Sequence, residues 1–134
     1  MTDGNEGKVV LITGATSGHG LGVARLLARR GESVADPDRV WHVALVPTYT
    51  EPYDKLEATI RALAETDWPI ERRMVAIITR ETDLPGRENV ARLREAFGDQ
   101  FAHFFHVLDP LEPGTVVGKS SAMAYGGRWL HAEL

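Results

Sequence analysis

The stretch that decides the fold is "VWHVALVPTYTEPYDKLEATIRALAETDWP", from Val40 to Pro69. Its first part, "VWHVALV", is a short run of mostly apolar residues that ends at Pro47, which predicts a buried strand. Its second part carries Leu56, Ile60 and Leu63 at the i, i+4 and i+7 positions, which predicts an amphipathic helix. A strand followed, after a short polar loop, by a helix is the repeating unit of an α/β protein.

The same alternation of strand and helix continues towards the end of the chain. Thr50 is the predicted N-cap of the first helix, with Pro52 inside its first turn, where a missing N–H costs little. The elements predicted next are a strand over Met74–Thr79, a helix marked by Val90, Leu93 and Phe97 and closed by Gly98, a strand in "FAHFFHVL" (101–108) and a helix over Ser120–Leu130. Alternating elements imply parallel strands with helices on the sheet faces. We therefore predict an α/β fold, a Rossmann-like three-layer sandwich with a mostly parallel sheet.

This predicted sheet also indicates where a ligand site lies. In open parallel sheets, ligands bind beyond the carboxyl ends of the strands. The informative segments are therefore residues 13–20, 47–51 and 79–83, and the loop that leads to Lys119.

The composition of the chain limits its function class. The 134 residues suit one domain, and 43% hydrophobic with 25% charged residues is typical of a globular protein. A formal net charge of -4 disfavours a nucleic-acid partner, and the absence of cysteine excludes thiolate chemistry and Cys-based zinc sites. The start, "MTDGNEGK", has no signal-peptide pattern, and the apolar runs are too short to cross a bilayer. We expect a cytoplasmic location and no membrane segment in this chain.

A glycine-rich loop lies in "VVLITGATSGHGLG", between a strand predicted over Val9–Ile12 and a helix predicted over Leu21–Arg30. Glycines at such a turn let backbone N–H groups and a helix N-terminus approach a pyrophosphate. The pattern T-G-x-x-x-G-x-G, within about residues 8–34, resembles the cofactor loop of the short-chain dehydrogenase/reductase family. That resemblance implies NAD(P) as the cofactor. The candidate cofactor-binding residues are Thr13, Gly14, Ser17, Gly18 and Gly20.

The other equipment of that family is missing from the chain. Its catalytic Tyr-x-x-x-Lys needs a lysine four residues after a tyrosine, and no tyrosine here has one. The acid that should end the next strand and bind the cofactor ribose is replaced by Val46-Pro47. An oxidoreductase module without its catalytic pair is therefore an alternative interpretation.

Three further landmarks occur in order over about residues 38–134. The first is "PTYTE", a Pro-x-Tyr-x-Glu at the end of a strand; the second is "MVAIITRETD", a strand with an acidic end. The third is "GKSSAMAYG", a Gly-Lys-x-x-Ala-x-x-x-Gly segment. This order resembles the N-terminal donor-binding part of family 2 glycosyltransferases, which have a GT-A-like fold. The resemblance implies that the chain binds a nucleotide diphosphate sugar and that the reaction is glycosyl transfer.

The same resemblance implies which residues bind the donor. Polar groups after the first strand would contact the base and ribose of the donor. A carboxylate after the next strand would accept hydrogen bonds from ribose hydroxyls or from a ring N–H, and a lysine would approach the diphosphate as a point charge. These candidates are Thr48, Tyr49 and Glu51, then Glu81 ahead of Asp83, and Lys119. Each also fits a role without a ligand, because helix starts, solvated loop acids and ordinary turns use the same residue types.

The chain departs from this pattern at the metal site. These transferases place an Asp-x-Asp after the Gly-Lys segment to hold a divalent cation against the diphosphate. The one Asp-x-Asp here, Asp36-Pro37-Asp38, precedes the strand, in a polar linker. His103 and His106 lack a nearby carboxylate and are predicted to be core or edge residues. We therefore assign no metal site and no catalytic residue.

The sequence therefore predicts two segments and leaves three alternative functions open. We predict a dinucleotide-binding-like strand, turn and helix over residues 1–34 and a partial glycosyltransferase-like domain over residues 35–134, or one continuous α/β domain, incomplete relative to either family. The first function is binding of a nucleotide diphosphate sugar, without complete catalysis in this chain alone. The alternatives are an NAD(P)-binding, dehydrogenase-like module and a noncatalytic nucleotide-binding fragment that needs a partner chain.

Overall fold

The computed structural model describes residues 10–11 and 41–134. The chain divides into two compact units, Met1–Ala44 and Leu45–Leu134. In the first unit, strand β1 (Val10–Leu11) pairs in parallel with the start of β2 (His42–Pro47). The predicted glycine loop with its candidate residues from Thr13 to Gly20, the helix after it and the boundary predicted at residue 34 lie outside the described residues.

The second unit begins within β2 and continues the alternation of helix and strand. Its further elements are α1 (Tyr53–Ala64), β3 (Arg73–Arg80), α2 (Leu84–Phe97), β4 (His103–Asp109) and α3 (Lys119–Glu133), with short 3-10 turns at Ile70–Arg72 and Gly98–Gln100. The strand order is β2-β3-β4, and the sheet is parallel and open. The predicted α/β class is therefore confirmed. Each predicted strand and helix of this unit is present, and the ends that were predicted differ from the observed ones by one to three residues.

The central strand β3 forms the middle of the core. Its segment "MVAII" is β-branched or apolar at nearly every position, and Val75, Ala76 and Ile77 are fully buried. A strand that is apolar on both sides is expected where helices cover both faces of a parallel sheet. The register pairs Met74 with His103 and runs to Arg80 opposite Asp109, so β3 and β4 end together.

Helices α2 and α3 lie on opposite faces of this sheet. Arg94 of α2 donates to the Phe104 carbonyl oxygen at 3.0 Å, and its guanidinium lies 5.5 Å from the centre of the Phe104 ring. Trp129 of α3 meets the next residue, Phe105, with ring centres 5.5 Å apart. Neighbouring residues of a strand point to opposite faces, so the two helices cover different sides. Helix α1 packs beside α2.

Helix α3 approaches the sheet closely through Gly126. A Cβ placed on Gly126 would lie 2.4 Å from Ile78 Cδ1 and 3.6 Å from Leu45 Cδ2. Any larger residue would push α3 away from β3, because these buried side chains have little room to move. The small residue thus fixes the distance between α3 and the sheet.

The predicted start of α1 is wrong by two residues. Pro52, not Thr50, is the N-cap, and no side chain caps the helix. Thr50 has a φ of 56°, in the left-handed region, so the chain turns there before the helix begins. The physical reason is that Pro52 is extended, at φ -67° and ψ 153°, and enters the helix as a flanking residue.

Among the described residues, no helix is both long enough and apolar enough to span a bilayer.

Candidate functional site

A cavity of about 280 Å³ opens at the carboxyl ends of the strands in the second unit. Residues 47–49 after β2, 78–80 at the end of β3, and Asp109 and Leu111 at and after the end of β4 line one side. The other side consists of residues 117–119, 121 and 122, at the start of α3. This is the position at which ligands bind in open α/β sheets.

Two of the predicted donor-binding residues, Thr48 and Tyr49, lie on the cavity wall, directly after the end of β2. The Thr48 N–H donates to the Ile78 carbonyl oxygen at 2.9 Å, which extends the β2 alignment with β3 past Pro47. Thr48 is 7% exposed, and its Oγ1 has no hydrogen-bond partner among the described residues. Tyr49 is 53% exposed, and the Arg80 guanidinium lies 4.2 Å from the centre of its ring. Tyr49 and Arg80 therefore form a cation–π pair at the cavity wall.

Lys119, the first residue of α3, reaches back to the loop after β2. Its Nζ lies 3.3 Å from Glu51 Oε1, and the Lys119 side chain is 69% exposed whereas that of Glu51 is 15% exposed. Glu51 Oε2 accepts a hydrogen bond from the Tyr49 N–H. One carboxylate therefore holds both the turn after β2 and the ammonium group at the start of α3.

The N-terminus of α3 faces the same cavity without a side-chain cap. Its N-cap is Gly118, and the first helical backbone bond runs from Ala122 N–H to Gly118 O, at 3.2 Å. Ser121 Oγ donates to that same carbonyl, at 2.9 Å, and so leaves the amide groups of the first turn uncapped. Such N–H groups and the helix dipole favour a bound anion.

Asp109 was not predicted as a site residue, yet it is the carboxylate that lines the cavity. It is 6% exposed; its Oδ1 accepts from Leu111 N–H at 2.9 Å, and its carbonyl oxygen accepts from Glu81 N–H at 3.0 Å. Leu111 has a φ of 54°, so the chain turns sharply around this carboxylate. The signal for it is in the sequence: "HVLDP" puts an acid at the end of a buried strand, immediately before a proline.

Glu81 and Asp83, by contrast, do not line the cavity. Asp83 is the N-cap of α2, and its Oδ1 accepts from Gly86 N–H at 3.1 Å. Glu81 has an exposed side chain, and its backbone oxygen accepts from Arg87 Nη1 at 3.1 Å. The last strand residue, Arg80, occupies the wall instead. The structure thus brings Thr48, Tyr49 and Lys119 together, with Glu51 in contact, and leaves Glu81 and Asp83 outside.

The two histidines of β4 lie on opposite faces of the sheet. His103 stacks on Phe105 with ring centres 5.5 Å apart. His106 Nε2 lies 2.8 Å from Thr79 Oγ1, and burial, followed by the charges of Arg94 and Arg87, lowers the pKa of His106. In the part of the chain that the structure describes, no three His, Asp or Glu side chains could together hold a metal ion.

The cavity therefore combines a basic side, made of Arg80, Lys119 and the α3 N-terminus, with three buried polar residues, Thr48, Thr79 and Asp109. This arrangement suits a ligand that has an anionic end and a neutral hydrogen-bonding end. No family model, no curated protein and no solved structure matches this chain.

Proposed function

We propose that this chain binds a nucleotide diphosphate sugar in the cavity at the carboxyl edge of its sheet. The observation that carries the proposal is the convergence of Thr48 and Tyr49 with Lys119, which is separated from them by two helices and two strands. A Rossmann-like three-layer arrangement, as in the donor-binding part of a family 2 glycosyltransferase, accounts for this convergence.

The diphosphate fits the basic side of the cavity. Lys119 supplies an exposed ammonium group, Arg80 supplies a guanidinium, and the first turn of α3 supplies backbone N–H donors. Phosphate oxygens accept hydrogen bonds from all three kinds of donor, and charge-assisted bonds are about twice as strong as neutral ones. The Glu51 carboxylate would then share Lys119 with the ligand.

The nucleoside fits the wall of the cavity that the ends of β2 and β4 form. The Tyr49 ring is half exposed and offers an aromatic edge, while Arg80 already covers one face. The other polar residues of the lining are Thr48, Thr79, Asp109 and Ser121. A mostly apolar pocket with a few polar groups is typical of a nucleotide site.

The proposal is confined to binding. Among the described residues there is no set of carboxylate or imidazole side chains that fits a divalent cation. We therefore derive no step of sugar transfer from this cavity, and no residue is assigned a catalytic role.

Calorimetric titration of the chain with UDP tests this proposal. We expect UDP to bind, and Lys119→Ala to weaken its binding about tenfold, since one charge-assisted phosphate contact is lost. Lys55→Ala is the matched control, because Lys55 is an exposed lysine of α1 that does not line the cavity. Equal affinities of the parent and Lys119→Ala would contradict the assigned phosphate side.

A parallel titration with NADP tests the alternative that the glycine loop is the nucleotide site. NADP binding that is lost on Gly18→Val, together with no UDP binding, would replace the proposal by a dehydrogenase-like module. If neither nucleotide bound at millimolar concentration, both would fail.

A further inference from the structure

Two buried side chains on the cavity wall have hydrogen-bonding capacity that the chain does not use. Asp109 Oδ1 accepts from Leu111 N–H, while Oδ2 makes no hydrogen bond to a described residue and is still reached by solvent at the cavity wall. Thr48 Oγ1 makes no hydrogen bond to a described residue either. Both residues are more than nine-tenths buried. The enclosed Thr48 hydroxyl is costly without a partner, and the second Asp109 oxygen is open to the cavity, so a molecule bound there can supply both missing bonds.

The two groups stand on either side of the central strand. Thr48 follows β2, and Asp109 ends β4, with β3 between them. Neighbouring strands are about 4.8 Å apart, so the two backbones are separated by about 10 Å. A nucleoside is long enough to approach both groups, whereas a single phosphate ion is not.

The charges in the cavity fix which end of a ligand meets Asp109. Lys119, with the α3 N-terminus, attracts a phosphate group, while the Asp109 carboxylate repels it. A carboxylate accepts hydrogen bonds, and hydroxyl and N–H groups are the donors that a nucleoside offers. The anionic end therefore lies towards α3 and the neutral end towards Asp109.

We infer that Asp109, assisted by Thr48, recognises the hydrogen-bond-donating end of the bound nucleotide, its ribose hydroxyls or base N–H groups. This inference rests on the proposed function and deepens it, because it gives the end of β4 the role that was predicted for Glu81. The Asp109 side chain is held in place for this role by its bond to Leu111 N–H.

The test compares Asp109→Asn with the parent chain in titrations with UDP and with inorganic pyrophosphate. Asparagine keeps the oxygen that accepts from Leu111 N–H but replaces the second oxygen by an NH2 donor. We expect UDP to bind about tenfold more weakly and pyrophosphate to bind as tightly as to the parent, or more tightly, because a negative charge is removed. Glu112→Gln is the control, since it removes one charge from an exposed residue outside the cavity lining.

Thr48→Val provides a second measurement if Asp109→Asn does not fold. Valine keeps the shape and the backbone bond to Ile78 but has no hydroxyl, so UDP should bind several-fold more weakly and pyrophosphate equally well.

The outcomes separate the two proposals. A parent chain that does not bind UDP overturns the proposed function and this inference together. A parent that binds UDP, with Asp109→Asn unchanged, overturns only the role of Asp109. An equal loss of affinity for UDP and for pyrophosphate also overturns the role of Asp109, because the phosphate groups are the only part that the two ligands share.

Discussion

Lys119 Nζ lies 3.3 Å from Glu51 Oε1, so the first residue of α3 is tied to the loop that follows β2. The same carboxylate accepts from the Tyr49 N–H. This half-buried acid therefore links the turn after β2 to the start of α3, beside the cavity. It also competes with any phosphate for the lysine.

We expect Glu51→Gln to increase the affinity for pyrophosphate about two- to fivefold, because Lys119 loses a competing charge while the glutamine oxygen still accepts from Tyr49. The measurement is a calorimetric titration at low salt and again at high salt, where the difference should shrink. Glu57→Gln is the control, because it breaks an exposed ion pair with Arg61 on α1, away from the cavity. A lower affinity of Glu51→Gln would show that Glu51 orients Lys119 more than it competes.

Gly126→Ala should lower the free energy of unfolding by about 1–2 kcal/mol, because the new Cβ would lie 2.4 Å from the buried Ile78 Cδ1. Gly127→Ala is the matched control on the same helix, since no atom lies within 4 Å of its added Cβ. Alanine is the better helix former, so this control should gain up to about 1 kcal/mol. Urea unfolding of both variants measures the difference, and equal stabilities would contradict the close approach of α3 to β3.

Asp83→Ala should lower the stability of the chain by about 1 kcal/mol and leave its UDP affinity unchanged, because Asp83 caps α2 and lies outside the cavity. Glu88→Ala is the control, since it removes an exposed acid from the same helix without removing a cap. Thermal unfolding and UDP titration of each variant check both parts. Weaker UDP binding by Asp83→Ala would restore Asp83 as a donor-binding residue.

Acid should destabilise the chain through His106. Burial and then the charges of Arg94 and Arg87 lower the pKa of His106 in the folded state, so the unfolded chain takes up the proton first. The contribution of His106 to the free energy of unfolding is therefore fully present at pH values above its unfolded pKa of about 6.5. It is lost as the pH falls towards the lowered folded pKa.

The measurement for His106 is the free energy of unfolding between pH 7.5 and pH 5 in urea, these being roughly the ends of the histidine range. His106→Gln should lose less stability over this range than the parent does. His131→Gln, which removes an exposed histidine of α3, should follow the parent. Burial also lowers the pKa of His42, so part of the slope remains in every variant. Identical slopes for His106→Gln and the parent would contradict the assignment.

The elements of the second unit were predictable because their signals are local. The four-residue spacing of Leu56 and Ile60 specifies the buried face of α1, and the apolar run "MVAII" specifies a strand that is covered on both sides. The start of α1 was not predictable in this way. Thr50 has the side chain of an N-cap, but its left-handed backbone and the proline at position 52 place the helix start two residues later.

The sequence by itself determined the order of strands and helices, and with it the sheet edge at which Thr48, Tyr49 and Lys119 meet, because hydrophobic period and turn residues act over a few positions. Only the tertiary structure decided which acid reaches the cavity. Glu81 and Asp109 both stand where a strand ends, but the tight turn from Asp109 to Leu111 buries one carboxylate, while the start of α2 leaves the other exposed. That choice depends on how the ends of β3 and β4 align and on where α3 packs, and these contacts join residues that are far apart in the chain.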